Sequence, residues 1–458
     1  MAKIKNVVMI LADQMRADIT YHEKYRFVTT PNIDRLRSEG TTFTSAFCQS
    51  PVCGPARASL TTGRYPQQHG VTNNRCLLLP EERTIGHHLC DHGYRVAAFG
   101  KTHGQNPGFV VNAEPPLVPS LGTSTWGPFK KPPADPKQTD RRFEPLLGVY
   151  QRDLDEHFDF VVARQAADFL HAQRGDRPFF LFVGLHGPHP PFLPPREFAD
   201  LYTTDQVELP QLEPATEERP QIQTSYRRAW QEMTDDERRR MTVAYLAQVS
   251  HVDAAAGRII DAVEAAGLAD ETLVIFSSDH GEQLGEHGII GKFNNFYDAS
   301  ARVPLIVRAP GLGAGGAVCS GLMEHVDLYP TVCEALDVSV PARVSGKSFV
   351  HAIRDPESAH RDVVTAFLES KPVHETGADE HTAFTRGMMI RSHQWKLNIY
   401  SNDRGELYSL ASDPQEMRNL LGQSEVAGVQ SDLTERLAQR SLELVRQPTL
   451  WQLNQFAG

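Results

Sequence analysis

Cys53-Gly54-Pro55-Ala56-Arg57 is the segment of this 458-residue chain whose residue types and spacing point most directly to chemistry. Pro55 suits the first turn of a helix, where its missing N–H costs nothing. Ala58, Leu60 and the run to Gly63 can continue that helix, and Gly63 can end it. Cys53 then stands at a helix N-terminus, where backbone N–H groups and the helix dipole favour negative charge. Arg57 lies one turn further on and can point back at residue 53. Alone, the segment equally describes a small buried cysteine ahead of a Pro-started helix.

The companions of Cys53 follow apolar runs of the kind that form buried strands. Asp13-Gln14 follows Val7–Leu11, and Lys101 with His103 follows Tyr94–Phe99. His186 and His189 follow Phe179–Val183, and Asp279-His280 follows Leu273–Phe276. Ligand sites of open α/β sheets lie beyond the carboxyl ends of the strands, so these clusters can converge in space. Asp13 and Asp279 are candidate ligands for a hard divalent cation, and Gln14 can add a carbonyl oxygen. His280 would add a nitrogen, which suits Mn²⁺ or Zn²⁺ better than Ca²⁺. Each aspartate alone also reads as a helix N-cap. Lys101, His103, His189 and Lys292 are candidate cationic or proton-transferring groups, and both lysines lie in Gly-flanked turns. A metal and several cations beside one nucleophile describe a site for an anionic ester of phosphorus or sulfur. His87, His88, His92 and His251 read as surface or satisfied core residues and receive no role.

The elements that position these groups alternate between strand and helix. A helix is expected from Thr30 to Gly40, a strand from Thr42 to Phe47, and a helix from Thr84 to Cys90. Helical patterning covers about 155–173, and a long helix about 235–266, with Val243, Leu246, Val249, Val252, Ile259, Ile260 and Val263 at helical spacing. Val303–Val307 reads as one more strand. The alternation predicts an α/β fold, a large, mostly parallel sheet sandwiched by helices, over residues 1–350. After about 350, short strands near 363–367, 382–390, 396–400 and 406–410 and a helix near 433–445 predict a small antiparallel sheet with a helix, a C-terminal α+β subdomain over 351–458. Residues 105–150 and 203–223 are long polar, Pro-containing stretches, expected to act as lid or substrate wall. Trp451 and Phe456 place large apolar side chains in the tail, against the body or a second subunit, so a homo-oligomer is an open expectation.

Composition excludes some classes. The formal net charge of -11 argues against a nucleic-acid partner held through phosphates. Six cysteines in a chain this long are no disulfide scaffold, and none forms a CxxC pair. The apolar run Val7–Ala12 is too short for a signal peptide or membrane span, so no membrane partner and a cytoplasmic location are expected.

Together these segments resemble the type I sulfatases of the alkaline-phosphatase-like superfamily. Cys53-Gly54-Pro55-Ala56-Arg57 fits the C-x-P-x-R signature, and Ala58-Ser59-Leu60-Thr61-Thr62-Gly63-Arg64 is a typical sequel. Gly100-Lys101-Thr102-His103 resembles the G-K-x-H element, and His186-Gly187-Pro188-His189-Pro190 the H-x-P-H-x-P element. Ser278-Asp279-His280-Gly281, Gly285-Glu286-His287-Gly288 and Gly291-Lys292 match the second metal half. Ser300–Leu305 and Glu406-Leu407-Tyr408 to Asp413-Pro414 are further similarities. The resemblance implies that a formylglycine-generating enzyme oxidises Cys53 to formylglycine, whose hydrate supplies the nucleophilic oxygen. It implies one divalent metal, Ca²⁺ first and Mn²⁺ or Mg²⁺ as alternatives, bound by Asp13, Gln14, Asp279, His280 and residue 53. Arg57 and Lys101 would hold the hydrate, His189 and Lys292 would bind the sulfate and assist the leaving oxygen, and His103 would act as base to expel sulfate. Asn74 (or Asn73) would add a hydrogen bond to the transferred group.

The chain departs from the pattern at three positions. Residue 54 is Gly where the family usually has Ser, Thr, Ala or Cys. Gln14 and His280 stand where many sulfatases have Asp and Asn, a combination also found in the branch of choline sulfatases and phosphonate monoester hydrolases. The leading expectation is a sulfuric ester hydrolase acting on a small-molecule or saccharide sulfate. A phosphonate monoester or phosphodiester hydrolase is the first alternative, disfavoured by Lys101 and His103, which are typical of sulfatases. A non-catalytic metal-binding protein with unmodified Cys53 is the second.

Overall fold

The computed structural model describes residues 3–104, 147–213 apart from 174 and 176, 218–370 and 385–444. Most of the stretch expected to wall the substrate (105–146) and the tail with Trp451 and Phe456 lie outside these residues.

The main sheet is built from β1 (Asn6–Asp13), β2 (Thr41–Phe47), β3 (Arg95–Gly100), β4 (Phe179–Pro188), β5 (Thr272–Ser278), β6 (Arg302–Val303), β7 (Leu305–Arg308) and β8 (Ala317–Glu324). Its order is β3-β4-β1-β5-β7-β2-β6, with β8 also paired to β2. β1 runs parallel to β4 and β5, and β3 parallel to β4, so the strand ends carrying Asp13, Lys101, His189 and Asp279 share one edge. β1 is buried throughout and alternates between two cores, Val8 and Ile10 on one face, Val7, Met9 and Leu11 on the other.

Helices α1 (Pro31–Glu39), α2 (Cys53–Thr62), α3 (Phe158–His171), α4 (Asp235–Ala265) and α5 (Leu328–Ala335) cover the sheet. Tyr245, Val249, Val252, Ile259 and Ile260 of α4 and Phe160 and Leu170 of α3 close one face; Ala56 and Leu60 of α2 and Leu328 and Val332 of α5 close the other. α1 starts at Pro31 as expected, but Thr30 does not cap it. Asp253 of α4 does, accepting from the N–H groups of Asn32 at 3.3 Å and Ile33 at 2.7 Å.

The expected strand at 303–307 is two pieces. Pro304 has no N–H for a ladder and separates β6 from β7. β7 runs antiparallel to β5 and β2, so the sheet is mostly parallel, as expected, with antiparallel pairings at β7.

The second sheet comprises β9 (Val364–Ser370), β10 (Thr385–Arg391), β11 (Trp395–Tyr400) and β12 (Glu406–Ser409), all antiparallel in the order β12-β11-β10-β9. Leu433 and Leu437 of α6 (Ala427–Glu443) pack on its Ile390, Leu397 and Leu407. Polar contacts join this sheet to the main body. Lys396 is fully buried and pairs with Asp298 at 2.5 Å and Glu416 at 2.6 Å, and Arg391 also holds Asp298. The buried Glu406 carboxylate accepts from the hydroxyls of Tyr297 (2.7 Å), Tyr400 (3.0 Å) and Tyr408 (3.0 Å).

Candidate active site

α2 delivers residue 53 as its composition demands. Cys53 opens the helix, Pro55 occupies the first turn, and Gly63 ends it in the left-handed conformation at φ 65°. The sulfur is buried, and its neighbours come from strand ends. Sγ lies 3.1 Å from Nε2 of His280 and 3.8 Å from Oδ1 of Asp13. Ligand atoms of Asp13, Cys53, Asp279 and His280 all lie within 4.8 Å of one another. Nδ1 of His280 donates to the carbonyl of Gly281 at 2.9 Å, which leaves Nε2 to face the other donors.

Arg57 turns to the carboxylates rather than to residue 53. Its Nε donates to Asp279 Oδ2 at 2.8 Å, Nη2 to Asp13 Oδ2 at 3.0 Å, and Nη1 to the carbonyl of Lys101. Lys101 Nζ lies 2.5 Å from Asp13 Oδ2, and His189 Nε2 lies 3.9 Å from Asp13 Oδ1. Gln14, at φ 68°, accepts from Lys292 Nζ on its side-chain oxygen and donates to Glu282 through its amide. Asn74 sits beneath the helix, where its Oδ1 accepts from Gly54 N at 2.8 Å; Asn73 instead turns its Oδ1 to Arg75 N at 2.9 Å. A Cβ at residue 54 would stand 3.1 Å from that Asn74 oxygen, a tight contact that the Asn74 side chain would have to relieve.

The charges set the protonation states. Burial would raise Asp13, but Lys101, His189, Arg57 and Lys292 hold it well below its ordinary value. Burial and Asp13 push the Cys53 thiol up, yet Lys292, Lys101 and His280 bring it below its ordinary value. Burial, Lys292 and Lys101 hold His189 well down. Burial, Arg57 and Lys101 depress His103 to about 4, so it is neutral near pH 7.

The structure thus gathers Asp13, Gln14, Cys53, Arg57, Lys101, His189, Asp279, His280 and Lys292, with His103 in the field of the same charges and Asn74 one layer behind. Sequence reasoning missed Glu282 and Arg16. Glu282 is buried, accepts from Leu284 N and Gly291 N, and holds Gln14. Arg16 binds the carbonyls of Glu282 and Gln283 and the Glu286 carboxylate. Their positions, three residues past Asp279 and Asp13, were the available signal. Glu286 and His287 face away from the centre, Glu286 on Arg16 and Lys24, His287 on Glu213 and stacked on Tyr297.

Buried carboxylates, a cysteine at a helix start and several cationic side chains thus gather at the strand ends of one α/β sheet. The sulfatase family profile matches residues 5–338, and the profile of the N-sulphoglucosamine sulphohydrolase C-terminal region matches residues 285–443. The chain belongs to the sulfatase family and is a hydrolase of sulfate esters. It is 29% identical to a choline-sulfatase of Rhizobium meliloti (strain 1021), over 91% of this chain and 82% of that one. It is 27% identical to arylsulfatase K of Bos taurus, over 97% and 82%. The phosphonate monoester hydrolase of Agrobacterium radiobacter shares the fold, with a TM-score of 0.78 and 24% identity over 96% of each chain. Among the described residues no helix is long and apolar enough to cross a membrane.

Proposed function

We propose that the chain cleaves a sulfate monoester to an alcohol and inorganic sulfate at residue 53, after a formylglycine-generating enzyme has converted Cys53. The observation that carries this reading is the convergence on the Cys53 sulfur of the Asp13 and Asp279 carboxylates and the His280 imidazole, with Lys101 and Lys292 close enough to draw its pKa down. The donor chemistry suits a divalent cation. Asp13 and Asp279 offer buried oxygens, His280 offers the nitrogen left by its bond to Gly281, and residue 53 adds the remaining atom. Ca²⁺ is the first candidate, with Mn²⁺ and Mg²⁺ as alternatives. Gln14, whose side-chain oxygen takes Lys292, supports the same centre. As its hydrate, formylglycine would supply an oxygen nucleophile, and a cation held by Asp13, Asp279 and His280 would lower the pKa of that hydroxyl.

The chain's own residues do the rest. Arg57 locks the two carboxylates in place, and Lys101 adds positive charge beside residue 53. Lys292 and His189 face the bound sulfate, and an anionic ester beside His189 raises its proton affinity, which lets it assist the leaving oxygen. His103 is neutral above about pH 4 and is the group able to accept a proton as residue 53 is regenerated. Asn74 has its oxygen on Gly54, so its amide nitrogen is the part that can reach the transferred group.

The test compares wild type with Cys53→Ala on an aryl sulfate and an aryl phosphonate ester, with the mass of the Cys53 peptide measured beside it. Loss of turnover in a folded Cys53→Ala protein and preference for the sulfate are expected. Full activity in Cys53→Ala, or a much higher kcat/KM on the phosphonate, overturns the proposal.

A further inference from the structure

We infer that Asp159 and His251 are positioning residues that fix the segment carrying His189. Asp159 lies in the first turn of α3 and His251 in the middle of α4, and both are fully buried. The Asp159 carboxylate collects three N–H donors. Oδ1 takes His186 N at 2.6 Å, and Oδ2 takes Gly187 N at 3.0 Å and His251 Nε2 at 2.8 Å. His186 in turn accepts from His189 N at 3.2 Å through its carbonyl, so the clamp acts one hydrogen bond away from the residue that faces the site.

Two further observations show how tightly the segment is held. A Cβ at residue 187 would lie 2.7 Å from Val252 Cγ2, 2.8 Å from His251 Nε2 and 2.9 Å from Asp159 Oδ2, so only glycine lets this backbone reach the pair. The His157 ring stands edge-on to His251 at 4.6 Å and accepts from Asp159 N at 3.3 Å, closing the other side. Burial would raise the Asp159 pKa, but the His251 hydrogen bond and the surrounding imidazoles hold it well below the usual range, so the clamp is an anion at neutral pH. His157, Asp159 and His251 are close enough together to hold a metal ion. Two of the donors on that carboxylate are backbone N–H groups of the His189 segment, which is what makes it a backbone anchor.

The inference rests on the proposed role of His189, and a double-mutant cycle separates the two. The full chain is assayed on an aryl sulfate as wild type, Asp159→Asn, His189→Ala and the double variant. Asp159→Asn puts an amide N–H against backbone N–H groups while keeping the side-chain shape. It is expected to lower kcat by about 10–100-fold with KM within about 3-fold, since small misplacement of a reacting group costs on this scale. In the His189→Ala background the same change is expected to cost less than about 2-fold. His251→Gln, which keeps an N–H donor, is expected to recover most of the activity lost in His251→Leu.

If Asp159→Asn does not accumulate folded, the two His251 variants carry the same cycle. An equal loss in both backgrounds, or no loss from any clamp variant, overturns the inference alone. Wild-type turnover by His189→Ala overturns the reading of His189 and the inference with it. A transition-metal equivalent bound by wild type and missing from Asp159→Asn also overturns it, in favour of a metal site.

Discussion

Arg57 meets two carboxylates and a carbonyl at once while wholly buried, and no other side chain has the fork to do so. A lysine at that position keeps the charge but can serve only one carboxylate well. Arg57→Lys is therefore expected to leave a buried anion under-paired, costing about 3–5 kcal/mol of stability and most of the turnover. A urea midpoint unchanged from wild type would refute this. Asp13, Lys101, His189 and Asp279 were legible because they follow apolar runs, and Cys53 because it precedes a Pro-started helix. What Arg57 binds was not legible, because the pull of two facing carboxylates appears only once β1 and β5 lie side by side. Glu282 and Asp159 were hard to read for a related reason: their partners are largely backbone N–H groups, which carry no side-chain signature, and His251 acts only through Asp159. His251 was assigned no role, and it is a buried histidine; its Nε2 is bonded to Asp159, the anchor of a site segment.

At the scale of elements, the helix bearing Cys53 was readable at both ends, from Pro55 and from Gly63. Gly63 has a second duty, since its carbonyl accepts from Ser345 N and Gly346 N, and a Cβ on it would lie 2.8 Å from Val344 Cγ1. Gly63→Ala combines a left-handed backbone with that overlap and is expected to destabilise by about 1–3 kcal/mol. A thermal melt checks this, and a Tm equal to wild type would refute it. Strand direction was harder to read. Leu305–Arg308 is a short apolar run that looks the same whether it pairs parallel or antiparallel. β8 was missed because Val318 and Ser320 are exposed on either side of buried Cys319, which blurs the apolar signal at its start.

For the whole molecule, acid stability follows from buried imidazoles. Burial depresses His69 and His157 to about 3 and His325 to about 4. In the unfolded chain each would titrate near 6.5, so the unfolded state binds more protons below that pH, and stability falls as pH drops from about 6.5 towards 3–4. Between pH 7 and pH 5 the loss is roughly 2 kcal/mol per histidine as an upper figure. Asp253 acts in the opposite sense. Burial raises it to about 6, so the fold gains protons there first and recovers about 1 kcal/mol over the same interval. The net expectation is a lower urea midpoint at pH 5 than at pH 7, with His69→Gln reducing the difference. Equal midpoints would refute it.

The ion pairs around Lys396 impose an order on synthesis. Asp298 follows Lys292 by six residues, but its partners Arg391 and Lys396 lie 93 and 98 residues further along. Until that late stretch has left the ribosome, the segment behind Lys292 carries a carboxylate without its two salt-bridge partners and a Tyr297 without its Glu406. A nascent chain that already holds every residue of the centre is therefore expected to be inactive, and a stop codon just before position 385 should yield aggregated protein rather than a smaller working enzyme. Soluble, active product from such a truncation would show that the late strands are dispensable.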